Sequence, residues 1–346
     1  MDKLVECVPN FSEGRNIRTI NAIAGAISNV RGVKLLSAEP NPDYNRTVVT
    51  FVGEPAAAVE AAFRATRIAC ELIDMRLHAG EHPRLGATDV VPFVPVAGTT
   101  IGDCVRLARE YGNLVGTELG VPVYLYEAAA TRPERRNLSV VRKGQYEGLE
   151  ERLRDPAWEP DFGPVVFNAR SGATVAGARM FLIAYNVNLA TTDTAVAKEI
   201  ALRIRESGRV RKDVAGNPVL DAQGRKQTIP GTLKAVKAME VFLEAHGIAQ
   251  VSMNLVDYTV TPPHTAYEEV QRQAASLGAR VTGSEIVGLT PLEALLMAGR
   301  HFDPRATTET DLVAAAETGL GLSQLERFDP SRKIIEYMIT GASQTG

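Results

Sequence analysis

Residues 78–89 read His78-Ala79-Gly80-Glu81-His82-Pro83-Arg84-Leu85-Gly86-Ala87-Thr88-Asp89, and an apolar run with two prolines follows to Pro95. Two of the chain's five histidines, two acids and an arginine thus stand beside helix-breaking Gly and Pro. Such side chains can pass protons near neutral pH, pair with carboxylates or hold a metal. The first five residues also fit H-x-x-E-H, a zinc-peptidase pattern in which two histidines bind the metal and the glutamate is the general base. That chemistry needs both imidazoles on one face of a single helix. Pro83 disfavours helical backbone at His82, and Gly80 weakens any helix between the pair. A helix expected over 55–76 therefore ends before His82. The stretch reads as a catalytic loop, and no metal site is expected.

The elements that must position this loop alternate in type. A strand is expected near 3–9, a helix near 17–30, strands near 33–38 and 45–52, and the helix over 55–76. Asn41-Pro42-Asp43 supplies turn residues between the second and third strands, which suits an antiparallel hairpin. A strand near 90–95, a helix near 101–118 and a strand near 121–126 extend this half. A ferredoxin-like sheet with helices on one face accommodates the order.

The second half repeats the scheme, with a strand over 179–188, a helix over 193–206, a strand over 248–260, a helix over 265–277 and a strand over 281–287. Residues 236–244 fit a helix by apolar spacing or the first arm of a hairpin with 248–260; the repeat favours the hairpin. Residues 208–230, rich in Gly, Pro and charge, read as a projecting loop or hairpin. Residues 154–178 hold three prolines and three glycines with little periodicity and look like the connection between the halves. The expected division is 1–178, 179–303 and a helical tail over 304–346 that packs on the second half. The fold class is α/β (α+β): two ferredoxin-like sandwiches with a ligand cleft between them, lined by the connector.

Composition narrows the function classes. The 346 residues carry 38 basic and 41 acidic side chains, so no global field draws nucleic acid or an anionic membrane. Cys7, Cys70 and Cys104 are odd in number and widely spaced, which fits a reducing cytoplasm and shows no metal spacing. No stretch offers eighteen uninterrupted apolar residues, and no export signal is expected at the amino terminus.

Together with the His82 loop, the opening Glu6-Cys7-Val8-Pro9-Asn10-Phe11-Ser12-Glu13-Gly14, the segment Asn45-Arg46-Thr47 and Asp161-Phe162-Gly163-Pro164 make the chain resemble the formiminotransferase family. The resemblance covers nearly the whole chain. It implies two ferredoxin-like subdomains with a folate cleft, a homodimer, and no metal. It implies transfer of a formimino group from N-formiminoglutamate to N5 of tetrahydrofolate, giving 5-formiminotetrahydrofolate and glutamate, as in histidine degradation. Tetrahydrofolate, polyglutamylated or not, enters as a co-substrate. The cyclodeaminase part of bifunctional members is not expected within this length.

The family's catalytic histidine falls on His82. A neutral imidazole of ordinary pKa about 6.5 suits removal of the N5 proton, and a placed base contributes about 10² to 10⁴ in rate. Glu39 and Asp89 are candidates to hold its other nitrogen; family members tend to carry Asp where this chain has Glu39, one methylene longer. Arg84, beside the base, and Arg46 are candidates for substrate carboxylates, with Arg84 preferred. In the family, the stretch matching Gly163, Pro164, Val165, Val166, Phe167, Asn168, Ala169, Arg170, Ser171 and Gly172 contacts the folate. Here Val166 and Phe167 offer an apolar face, and Asn168 and Arg170 polar contacts. Asn10 and Ser12 precede the first helix and either contact substrate or cap it. Formylglutamate or another formimino amino acid remains an alternative donor; a zinc hydrolase and a folate-binding protein without turnover are the other classes.

Overall fold

The computed structural model describes residues 3–340 apart from Ala215 and Ala245, so the end of the expected tail, 341–346, lies outside the described residues. The chain divides into two compact units, Met1–Met180 and Phe181–Gly346.

In the first unit the elements are β1 (Leu4–Cys7), β2 (Asn10–Phe11), α1 (Ile17–Ser28), β3 (Val33–Asn41), β4 (Arg46–Gly53), α2 (Pro55–Leu72), β5 (Thr88–Ala97), α3 (Ile101–Glu118) and β6 (Val123–Glu127). The short helices α4 (Leu138–Val141) and α5 (Leu149–Arg152) follow, and then β7 (Thr174–Ala178). Helix α2 starts with Pro55 at its first turn, where a missing N–H costs nothing, and turns an alanine-rich stripe with Val59, Phe63 and Thr66 inward. Between β1 and β2 the chain passes Pro9, which has no N–H to give to a ladder, yet the Pro9 carbonyl still accepts from Val49 N at 3.0 Å. The pair therefore acts as one interrupted strand.

Strands β3, β4, β1/β2 and β5 lie in that order with antiparallel pairing, which is the ferredoxin-like arrangement expected. The sheet then continues. Strand β7 pairs in parallel with β5, and β6 in parallel with β7, which makes seven strands. Helices α1, α2 and α3 cover one face around Ile23, Phe51, Phe63, Phe93 and Tyr111. On the opposite face, α4, α5 and their loops bury Leu85, Tyr124, Tyr126, Val141, Leu149 and Val175. Helices are thus not confined to one face. Covering both sides lets β7 run as five buried residues without polar alternation, the usual habit of a parallel strand.

That strand corrects the reading of 154–178 as a connection between halves. Thr174–Ala178 is an inner strand of the first sheet, and the Gly- and Pro-rich residues before it pack within the same unit. Its burial on both faces removed the period-2 signal that marks half-buried strands.

The second unit contains β8 (Ile183–Leu189), α6 (Thr194–Ile204), β9 (Arg209–Val210), β10 (Thr228–Ile229), β11 (Val236–Leu243), β12 (Ile248–Leu255), α7 (Pro263–Ser276) and β13 (Val281–Val287). After them come α8 (Leu292–Phe302), α9 (Glu309–Leu320), α10 (Pro330–Lys333) and α11 (Ile335–Thr340). The sheet order β11-β12-β8-β13 reproduces the antiparallel core of the first unit. Residues 236–243 form the hairpin with β12 that the repeat predicts, with Leu243 opposite Ile248. The excursion before it is a two-stranded β9–β10 ribbon. No helix among the described residues is long and apolar enough to cross a membrane.

Because Phe93 is fully buried in the first core, Phe93→Ala is expected to cost about 3–5 kcal/mol. Val287→Ala, half-exposed on β13, should stay within about 0.5 kcal/mol. Urea unfolding of the two variants checks the contrast.

Candidate functional site

His82 lies in the irregular segment between the end of α2 at Leu72 and the start of β5 at Thr88, half-buried and outside any helix. The segment is seated by backbone. Gly86 and Gly172 form an antiparallel bridge, Ala87 N donates to Ser171 O at 2.9 Å, and Ala173 N donates to Leu85 O at 3.1 Å. A Cβ at Gly86 would stand 2.3 Å from Ser171 O, and one at Gly172, whose φ is +69°, would stand 2.1 Å from Leu85 O. Only glycine at both positions allows this approach. Ser12 adds a clasp by donating from Oγ to Gly86 O at 2.7 Å.

The turn into β4 brings the second set of groups. Asn45 sits at φ 47°, a left-handed conformation that asparagine tolerates better than most residues. Its amide fixes it there: Oδ1 accepts from Gly14 N at 2.9 Å and Nδ2 donates to Ala79 O at 3.0 Å. The next residue, Arg46, points Nη1 at Nε2 of His82, 2.6 Å away. A guanidinium only donates, so Nε2 accepts and the imidazole proton must be on Nδ1. His82 is therefore neutral. Burial, then Arg46 and Arg142, push its pKa down to about 4, against a smaller upward pull from Asp89 and the Pro83 carbonyl.

His78 is fixed in the other tautomer. Its Nε2 donates to Asn45 O at 2.9 Å and its Nδ1 accepts from Arg84 Nε at 3.2 Å. Burial lowers its pKa too, with Arg84 adding to the effect. The two histidines of H-x-x-E-H thus sit on a loop with Nε2 and Nδ1 of His78 and Nε2 of His82 all engaged by protein groups, not side by side on a helix. No group of three or more His, Cys, Asp or Glu side chains among the described residues is placed to hold a metal ion.

The arginines differ in what they are given. Arg84 is buried and committed: its guanidinium grips Glu147 through Nη1 at 2.9 Å and Nη2 at 2.5 Å, and Nη1 also reaches Gln145 Oε1 at 3.1 Å. Arg142, at the end of α4, pairs with the buried Asp89, whose Oδ1 also accepts from Leu85 N at 2.9 Å. Arg46 has no acid partner among the described residues, and its Nε is buried without a hydrogen bond. Arg84, the arginine preferred in the sequence for a substrate carboxylate, already holds a carboxylate of the protein. Ser12, Tyr44, Asn45, Arg46, His78, His82, Arg84 and Asp89 line a closely packed recess with no free room for a water molecule. Tyr44, its ring 6.0 Å from that of His82, also borders an open hollow of about 690 Å³ with Arg15, Asn41, Asp43, Gly80 and Glu81.

Of the other expected residues, Glu39 and Asn10 fall outside the recess, while Asp89 and Ser12 line it. Glu39 is exposed on β3 opposite Val48, and no hydrogen bond joins it to His82 among the described residues. Asp89 is the acid that His82 feels, although its oxygens serve Arg142 and Leu85. Asn10 turns its amide back to Val8 O at 3.0 Å. Neither Asn10 nor Ser12 caps α1; Asn16 does, accepting from Arg18 N and Thr19 N.

Within residues 163–172, Gly163, Pro164, Val165 and Val166 are exposed, while Phe167 packs on Tyr146 with ring centroids 5.5 Å apart. Asn168 and Arg170, expected to offer polar contacts, are used internally. Asn168 Oδ1 accepts from Ser171 N at 2.9 Å, and Arg170 donates to Cys70 O at 3.2 Å and Glu71 O at 2.6 Å at the end of α2. A cation on those carbonyls also complements the helix terminus. Ala169 O accepts from the Tyr146 hydroxyl at 2.5 Å. Sequence reasoning missed Arg142, Gln145 and Glu147. They lie in short irregular structure with no apolar period, where Lys143-Gly144 was the sole turn signal.

Two family models match the chain: the formiminotransferase domain, N-terminal subdomain, over residues 4–179, and the formiminotransferase domain over 184–340. A formimidoyltransferase-cyclodeaminase of Dictyostelium discoideum is 47% identical over 98% of this chain and 61% of its own length. A glutamate formimidoyltransferase of Thermoplasma acidophilum is 47% identical over 86% of this chain and 92% of its own. One of Streptococcus pyogenes is 39% identical over 99% and 100%. The chain thus spans about three-fifths of the bifunctional relatives it matches.

The glycine seat yields a test. Gly172→Ala is expected to push the Leu85 carbonyl and tilt the His82 loop, lowering the melting temperature and cutting kcat/KM by about tenfold or more, since a 1 Å misplacement can cost about 10² in rate. A variant with wild-type melting and wild-type turnover would remove the seat from the account.

Proposed function

The chain belongs to the formiminotransferase family, and we propose that it is a glutamate formimidoyltransferase that moves a formimino group from N-formiminoglutamate to N5 of tetrahydrofolate. Its place would be in the breakdown of histidine, in the cytoplasm, as a homodimer. The observation that carries the reading is the pairing of a neutral, half-buried imidazole, His82, with a guanidinium, Arg46, that has no acid of its own. The first can receive a proton and the second can bind a carboxylate.

The chemistry balances on one proton. N5 attacks the formimino carbon, its proton passes to Nε2 of His82, and the tetrahedral intermediate then breaks its bond to the glutamate nitrogen. The proton goes to that leaving nitrogen, so His82 acts first as base and then as acid and ends unchanged. Arg46 holds a carboxylate of the donor. Arg84, spent on Glu147 and His78, shapes the recess instead. Val165 and Val166, 50% and 65% exposed, are the apolar surface we assign to the pterin and benzoyl rings. Bringing two substrates together supplies the larger share of the rate, as positioning can be worth about 7–11 kcal/mol.

A zinc hydrolase is disfavoured because the helix its ligands need is replaced by a loop whose imidazole nitrogens bond to Asn45, Arg84 and Arg46. Formylglutamate as donor remains the second reading, because Arg46 would pair with its carboxylates as well.

Incubating the protein with tetrahydrofolate and a donor panel tests the reading. Formiminoglutamate should give glutamate and 5-formiminotetrahydrofolate in equal amounts and faster than formylglutamate, formiminoaspartate or formiminoglycine; no turnover with any of them would overturn it. Val166→Asp should weaken tetrahydrofolate binding about tenfold, as expected for loss of roughly 1.4 kcal/mol of apolar contact. An unchanged affinity, read by fluorescence titration, would move the folate surface elsewhere.

A further inference from the structure

The base and the cation of the recess are bonded to each other, and the contact makes each of them less useful alone. Nε2 of His82 is the nitrogen that would take a substrate proton, and Arg46 Nη1 covers it at 2.6 Å. Arg46 in turn spends that donor on a neutral acceptor and leaves Nε buried with no partner. Its neighbours on the same wall are compensated: Arg84 by Glu147 and Arg142 by Asp89. The recess therefore carries one guanidinium that, among the described residues, feels Asp89 at a distance but has no carboxylate in ion-pair contact.

We propose that Arg46 is a substrate-operated latch on the base: its guanidinium covers Nε2 of His82 until a carboxylate of the incoming donor takes it, so that amino acid binding is what makes His82 able to accept a proton. This deepens the assignment of a glutamate-derived donor and rests on it.

The physical argument is a competition for one donor group. Hydrogen bonds between a guanidinium and a carboxylate are roughly twice as strong as those to a neutral acceptor, and the fork geometry adds a second bond. A carboxylate that reaches Arg46 therefore outcompetes the imidazole for its guanidinium. Two consequences for His82 have the same sign. The lone pair on Nε2 is released, and the positive charge that opposes protonation is neutralised.

The groups facing His82 are Arg46 from β4, Arg142 from the end of α4, Asp89 from β5 and Tyr44 from the β3–β4 turn. Asp89 and Arg142 are tied to one another, which leaves Arg46 as the charge a ligand can change. A base kept covered in this way meets the N5 proton only when the formimino donor is already bound.

Histidine-selective ¹⁵N labelling of the full chain tests the latch without needing turnover. In the wild type, His82 should be the Nδ1–H tautomer and titrate at about 4. Saturating glutamate, the amino acid product, should move that titration up by about 1–2 units, and Arg46→Met should do so without any ligand, after which glutamate has no further effect. Arg46→Gln, which keeps the size and a donor but not the charge, should give an intermediate shift and covers the case in which the methionine variant does not fold. Failure of glutamate to bind, binding that leaves His82 unmoved, or neutral variants that titrate like the wild type would each overturn the latch. Turnover of formiminoglutamate with His82 unmoved would leave the transferase reading intact, whereas absence of turnover with every donor would remove that reading instead.

Discussion

A guanidinium cannot accept a hydrogen bond, and that asymmetry organises the site. Once Arg46 Nη1 lies 2.6 Å from Nε2, His82 has to be neutral with its proton on Nδ1. Burial reinforces the choice, since each added positive charge in the recess disfavours an imidazolium. The surrounding ion pairs follow from the same need. Arg142 and Arg84 are tolerated at low exposure because Asp89 and Glu147 hold them, and an unpaired charge at either place would be costly.

The fold supplies the registration. Strand β5 is inner to the seven-stranded sheet and carries Asp89 at its start, β4 carries Arg46 at its start, and β7 begins two residues after Gly172. The starts of these three strands, β4 separated from β5 by β2, thus bring the acid, the cation and the backbone seat to the same end of one sheet. The loop carrying His82 needs no regular structure of its own because Gly86, Gly172 and the Ser12 hydroxyl pin it by close contact. His82 thus sits on a loop while strands hold its neighbours.

Much of this was legible in the residues, and the failures have identifiable causes. The βαββαβ order repeats in both units because each arm has alternating strands, amphipathic helices and turn residues that carry local signals. The hairpin at 236–243 was recoverable only from the repeat, since its apolar spacing fits a helix equally well. Strand β7 was hidden because burial on both faces erases alternation. At the site, Pro83 was enough to separate His82 from a helical metal pair. That Arg84 is held by Glu147 was not legible, because the partner lies sixty-three residues further along and only tertiary structure brings it close. The exposure of Glu39 was hidden for a similar reason: it follows from strand pairing at the sheet edge.

The central claim is that His82 carries the proton between N5 and the departing glutamate nitrogen. Chemical rescue of His82→Ala tests it most directly, by following glutamate release from formiminoglutamate and tetrahydrofolate with and without added imidazole. Loss of a positioned base predicts a fall of about 10² to 10⁴ in rate, with partial recovery that grows with imidazole concentration. A variant that turns over at the wild-type rate, or one whose deficit imidazole leaves untouched while both substrates still bind, would contradict the account.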